Sequence, residues 1–220
     1  QILLFAVAFN LNSNEFLTGS LVDYSGLIKM PNARFNNEGK VSFNYSRYDP
    51  YGKYVFQFSP YDWFEGALFY TDINSLGYPD FERGPGGMQS QKDKGFSLKA
   101  RLFKEGECYG LDYAFCEYLP NVAVGLVDFA GTSLTASEYV VASKSFGRFD
   151  LTAGLGWGAL GSTDNIGGNP LSILADRFDE RGSGYSLGLM GGVPGVSTWF
   201  RGTTSVFGGV EYVIPKARFY

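Results

Sequence analysis

The sequence predicts an all-β fold, an antiparallel β-barrel of the outer-membrane type with about ten strands visible in this chain. Three observations carry that expectation. Apolar residues recur at every second position in segment after segment, while helical periodicity is weak. Aromatic residues make up 17% of the 220 residues, with 20 Phe and 15 Tyr beside 30 Gly, a mixture that suits pleated surfaces and tight turns. The face opposite the apolar residues is mostly Gly, Ser, Thr or Asn, and only 18% of the residues are charged.

The segment "FDLTAGLGWG" (149–158) shows the pattern most cleanly: Phe149, Leu151, Ala153, Leu155 and Trp157 alternate with Asp150, Thr152, Gly154, Gly156 and Gly158. Elsewhere, "GKVSFNYSRY" (39–48) sets Val41, Phe43 and Tyr45 against Ser42, Asn44 and Ser46. After the turn "YDPYGK", "YVFQFS" (54–59) returns as the second arm of a hairpin. "WFEGALFYT" (63–71) places Phe64, Leu68 and Tyr70 opposite Glu65. "GFSLKARLFK" (95–104) alternates Phe96, Leu98, Ala100 and Leu102 with Ser97, Lys99 and Arg101.

"VAVGLVDFA" (122–130) is apolar on both sides except for Asp128, and "SEYVVASKSF" (137–146) puts Glu138 and Lys144 on a shared face. "GYSLGLMGGV" (184–193), "STWFRGT" (197–203) and "SVFGGVEYVI" (205–214) complete the set. The stretches 72–94 and 161–184 are rich in Gly, Pro, Asn and Asp and read as long loops. The second contains a short helix-like run, "LSILADRF". "GPGGMQSQ" in the first has no phosphate-loop ending and reads as a flexible loop.

Residues 1–20 form an N-terminal segment and 21–220 the β-domain, with no boundary inside it. "ILLFAVA" (2–8) fits either the remnant of a secretory signal, with Ala6-Val7-Ala8 as the cleavage pattern, or a first strand. Both readings stay open.

A net charge of -4 argues against nucleic-acid binding, and the absence of His removes the commonest general base and metal ligand. No metal or cofactor is expected. Cys108 and Cys116 are candidates for a local disulfide, which would close a loop of about nine residues and stabilise by roughly 2–3 kcal/mol. Two free thiols are the alternative.

One-faced strands fit a soluble sandwich, a soluble ligand-binding barrel or a membrane barrel. In a soluble protein the polar face meets water and should carry many Lys, Glu and Asp. Here that cover is sparse. In a membrane barrel the apolar band faces lipid between aromatic girdles and the polar face lines the interior. Tyr45, Tyr54, Tyr70, Tyr139, Phe149, Trp157, Tyr185 and Tyr212 stand near strand ends, as girdles require.

On the barrel reading Glu65, Lys99, Arg101, Asp128, Glu138, Lys144 and Glu211 face inward. They would pair across the lumen or bind sugar hydroxyls and uronates, with Lys99 and Arg101 suited to acidic polysaccharide. A glycoside-hydrolase reading needs two carboxylates flanking a bond, and nothing in the spacing selects a pair, so no catalysis is expected.

Several blocks resemble the YjbH/GfcD-type family: "GLIKMPNARF" (26–35), "FSPYDWFEGALFYTDI" (58–73), "DKGFSLKARLFKEGE" (93–107), "YLPNVAVGLVDFAGTSLTASEYVVASKSF" (118–146), "FDLTAGLGWG" (149–158) and "FGGVEYVIP" (207–215). The resemblance implies an outer-membrane β-barrel linked to exopolysaccharide and capsule production. Its implied partners are lipid, exopolysaccharide and other polysaccharide-secretion proteins. Family members are longer, so the likeness implies that this chain covers their N-terminal barrel region. "CYGLDYAFC" departs from the usual pattern, so the disulfide is not implied by it. Nor is the lipoprotein anchor of many members carried over, since no cysteine stands near position 1. The contrasting functions are a soluble barrel or sandwich that binds a hydrophobic ligand or protein, and a general diffusion porin.

Overall fold

The computed structural model describes residues 7–10, 26–77, 90–110, 116–182 and 194–213. Eight long strands follow one another as antiparallel neighbours: β4 (Lys40–Tyr48), β5 (Tyr51–Tyr61), β6 (Phe64–Gly77), β7 (Ser90–Phe103), β8 (Asn121–Val127), β9 (Ser137–Phe146), β10 (Phe149–Gly158) and β11 (Thr204–Val213). A short β1 (Val7–Asn10) lies parallel to β11, giving a nine-stranded sheet whose other edge is β4. A separate hairpin joins β2 (Gly26–Leu27) to β3 (Met30–Pro31). Among the described residues β4 and β1 do not meet, so the sheet is all-β and open.

Alternation determines which way each strand faces, because successive side chains point to opposite faces and cross-strand partners share one. On β7, Phe96 is 46% exposed while Lys99 is fully buried; on β10, Leu151 is 44% exposed and Thr152 only 5%. The same inversion holds on β5, where Tyr54 and Phe56 are exposed between buried Lys53, Val55 and Gln57. The sheet therefore buries its polar face and leaves its oily one uncovered, opposite to the arrangement of a soluble sandwich.

Glycines on the sheet have a purpose the alternation alone does not reveal. Gly66, Gly95, Gly125 and Gly154 stand directly opposite Phe58, Phe69, Tyr139 and Phe207 on neighbouring strands. At each, a Cβ would collide with its partner's ring. The rings lie flat over bare backbone, the cross-strand device that compensates for strand glycine. Tyr139 is thus an inner, fully buried residue rather than a girdle one. It packs in a cluster with Ala33, Phe35, Ala123, Val127 and Val141.

The structure departs from the sequence reading in other places. Both ends of the stretch 72–94 are strand rather than loop: β6 runs on to Gly77, β7 begins at Ser90, and Thr71, Asp72 and Ile73 pair with Asp93, Lys92 and Gln91. Asp128 falls just beyond β8 with φ 51° and is not a wall residue. "STWFRGT" is no strand, since Val196–Thr198 forms a 3-10 turn. "LSILADRF" holds two such turns, Pro170–Ile173 and Asp176–Phe178, in place of a helix. The strand expected at 184–193, with Tyr185, lies outside the described residues.

The connections differ between the two ends. Phe146 and Phe149 pair around Gly147 and Arg148, with Gly147 at φ 62° as such a tight turn needs. At this turn end also lie the 62–63 turn and the 104–120 connection, in which Cys108 and Cys116 are joined by a disulfide. The opposite end carries the 49–50 turn, the 128–136 loop and residues 159–182 and 194–203 between β10 and β11.

Candidate functional site

Residues 32–36, "NARFN", leave β3 and cross the covered face of the sheet as an inner strap before β4 begins. Pro31 cannot continue a ladder as a donor, and the Asn32 side chain accepts from the Arg34 amide (3.1 Å), bending the chain in an Asx turn. From there each strap residue finds a partner on a different strand. The Ala33 amide donates to Ser143 Oγ (2.9 Å), which is itself bonded to Thr152 Oγ1 (2.7 Å).

Arg34 donates through Nε and Nη2 to the two carboxylate oxygens of Asp150 (2.9 and 2.5 Å), and through Nη1 to Glu105 (2.6 Å). This fork suits guanidinium geometry and would be lost with Lys. Asn36 donates twice to Glu65 Oε1, from its amide at 2.6 Å and from its side chain at 3.0 Å.

Glu65 and Lys99 are direct cross-strand partners on β6 and β7, 3.3 Å apart and both fully buried. Lys99 also donates to the Arg34 carbonyl. Its ammonium lies 4.4 Å from the Phe35 ring centroid, and the Arg101 guanidinium lies 4.5 Å from it. The ring is a cation–π partner for both. Two buried charges in one low-dielectric layer are tolerable here because each is paired and hydrogen-bonded.

Of the other sequence-selected residues, Glu138 and Asp128 lie apart from this cluster, while Lys144 and Glu211 stand at its edge. Glu138 and Lys144 are register partners of Trp157 and Leu151, so both stand on the apolar side, a correction to their inward assignment. Glu138 is buried there because the 159–203 excursion folds over it: Arg181 forks onto its carboxylate (2.6 and 2.9 Å) and the Phe200 amide donates to it (2.9 Å). Trp157 is buried by the same excursion, donating to Asn169 Oδ1 (3.1 Å) with its ring edge-on to Phe200.

Lys144 reaches round the turn end to Glu105 (3.0 Å) and the Glu117 carbonyl (2.5 Å). Asp128 accepts from the Thr135 amide (3.4 Å) inside its loop. Arg101 leans toward Asp62 at the rim (3.5 Å), and Glu211, buried on β11, faces Asp150 across the ladder.

The structure thus brings together Glu65, Lys99 and Arg101 and adds Arg34, Phe35, Asn36, Glu105, Ser143 and Asp150, none of which sequence reasoning selected. Arg34 meets partners 71 and 116 positions away, a separation at which local patterning carries no signal. The network's chemistry is that of a clamp, since Glu65 and Lys99 reach a ligand only if the strap is displaced.

Burial pushes the Glu105 carboxyl up, but the hydrogen bonds from Lys144 and Arg34 outweigh it and hold its pKa below the ordinary 4.5. Its contribution to strap docking is therefore full above that value and is lost as pH falls through the lowered one. Acidification through the lowered Glu105 pKa should reduce the protection of the Ser145 amide, which Glu105 accepts from, so that its exchange rises relative to the intrinsic rate. Exchange that tracks only the intrinsic rate would refute this. At Arg34 burial acts downward, yet the hydrogen bonds and charges of Asp150 and Glu105 raise its pKa further. It stays charged throughout that window.

Residues 20–220 match the family model described as "Exopolysaccharide biosynthesis protein YbjH". The chain belongs to the YjbH family. It is similar to the protein named "Uncharacterized lipoprotein YjbH" from Escherichia coli (strain K12), with 42% identity over 190 residues, covering 86% of this chain and 25% of the relative. The chain thus spans about a quarter of the length of the curated relative it matches. No solved structure matches it. The YjbH family is the one described by exopolysaccharide biosynthesis, and the strap, clamped by Glu65, Lys99, Ser143 and Asp150, falls within the matched region.

Proposed function

We propose that the chain forms part of the wall of an outer-membrane β-barrel and supports exopolysaccharide export as a docking surface, without covalent chemistry. The observation that carries this reading is the inverted polarity: Val41, Phe43, Phe56, Phe96 and Leu151 lie uncovered while Lys99, Glu65 and Asp150 are enclosed. An exposed apolar surface of this extent requires a non-aqueous neighbour.

Aromatic placement supports lipid as that neighbour. Tyr45, Tyr54 and Tyr70 form a row on three adjacent strands, with ring centroids 4.7 and 6.4 Å apart. At the turn end Tyr61 and Trp63 stack at 5.6 Å. The seven-residue step from Tyr54 to Tyr61 on β5 covers about 23 Å along the strand, which a tilt of about 40° reduces to about 18 Å of height, so the two aromatic rows bracket most of an apolar band. The relative's description as a lipoprotein agrees with placement in the envelope.

A wall fits better than an open conduit at this stretch because the strap already occupies the inner face. Catalysis is not part of the reading, since the buried carboxylates Glu65, Asp150 and Glu138 are each committed to a cation and to backbone or side-chain donors. The test has two arms. Detergent-extracted protein should migrate differently on a gel before and after heating, which a soluble sandwich would not do. Cells lacking the protein should secrete less polysaccharide, and an unchanged amount would reject the export role.

A further inference from the structure

We infer that the long-loop end carries a binding site for an acidic sugar residue, built around Arg201 and Arg181; this rests on the reading that the protein handles exopolysaccharide. A cleft of about 300 Å³ opens between the 128–136 loop and residues 158–159, 181–182 and 198–203, lined by Ser133, Leu134, Ala136, Ala159, Arg181 and Arg201. Thr198, Thr203 and two glycines line it as well, and among the described residues none of the lining is acidic. Its size is at the lower end for small-ligand sites.

The two arginines have different states. Arg181 is held rigid and neutralised by its fork onto Glu138, whose carboxylate also takes the Phe200 amide. Gly158 allows it to lie close to the backbone, since a Cβ there would sit 3.0 Å from the guanidinium. Among the described residues Arg201 forms no ion pair. The cleft therefore presents one uncompensated cation beside a fixed one.

Three chemistries meet in this space. The Arg201 guanidinium offers paired N–H donors to a carboxylate. Ser133, Thr198 and Thr203 offer hydroxyls; Thr198 already donates to the Gly195 carbonyl (2.8 Å), leaving its oxygen to accept. Leu134, half exposed, and the methyls of Ala136 and Ala159 offer an apolar patch to the C–H face of a ring. A carboxylate, hydroxyls and an apolar face together describe a uronic acid unit better than a bare anion or a neutral sugar.

The test uses the full-length protein in detergent and isothermal titration with an oligomer of glucuronic acid, a glucose oligomer of equal length, and inorganic phosphate. The glucuronate oligomer should bind, and Arg201→Gln should weaken it roughly 10- to 100-fold. Arg201→Lys, which keeps the charge and loses the fork, should fall between. Lys104→Gln, at the opposite end, should leave binding unchanged.

Equal binding of the glucose oligomer, equal binding of phosphate, or no effect of Arg201→Gln in protein that retains its heat-modifiable form would overturn the site. Loss of binding with normal polysaccharide secretion by cells lacking the protein would uphold the site and reject the export role. Reduced secretion without glucuronate binding would do the reverse.

Discussion

Lys99→Met is expected to lower the free energy of unfolding by about 3–5 kcal/mol, the cost of leaving a buried charge without its partner. Glu65 sits fully buried beside it, and the Arg34 carbonyl and the Phe35 ring lose a donor and a cation at the same step. Adding Glu65→Gln to that variant should recover a good part of the loss. The amide oxygen still accepts from the Asn36 backbone while the stranded charge is gone. Coupling of this kind between contacting residues is what a double-mutant cycle reads. Urea unfolding of the full-length protein in micelles gives the values, and a loss for the single variant below about 1 kcal/mol, within the range of ordinary surface pairs, would mean that the clamp is not formed.

Gly125→Val should cost about 1–3 kcal/mol, the usual penalty for overpacking. A Cβ at Gly125 falls within the Tyr139 ring, which has no exposed side toward which to retreat. Combining it with Tyr139→Ala should give less than the sum of the two single losses, because the clash disappears with the ring. Gly182→Ala is the control: among the described residues nothing lies within 4 Å of a Cβ there, and its effect should stay within about 0.5 kcal/mol. Equal effects at the two glycines would show that Tyr139 does not lie over the strand.

How far the sequence disclosed this architecture depended on the range of the interaction concerned. Strands such as β5, β7 and β10 were legible because alternation is local and both faces of each segment can be read from a few consecutive residues. The ends of β6 and β7 were not, since "DIN" and "SQKD" look like loop and become strand only through pairing with one another. Tyr139 and Trp157 both look like girdle residues at strand ends. The first is turned inward by alternation onto Gly125, and the second is roofed by a loop that no periodicity foretells. Glu65 and Lys99 were selected as inward charges, but for lining a lumen. The strap that occupies them consists of residues with neither strand pattern nor local charge partner, held by donors and acceptors dozens of positions away.

Consider finally what an oil-out sheet means for how such a chain acquires its shape. In plain buffer, spontaneous collapse would gather Phe43, Phe56 and Phe96 toward one another and turn the architecture inside out. Greasiness alone thus does not favour the observed curl, whereas the ion pairs of Arg34 with Asp150 and Glu105 form on its covered face. On the proposed barrel reading such a polypeptide would meet an amphiphile before it condenses, and its maturation would depend on escort and timing as much as on the depth of its final energy well.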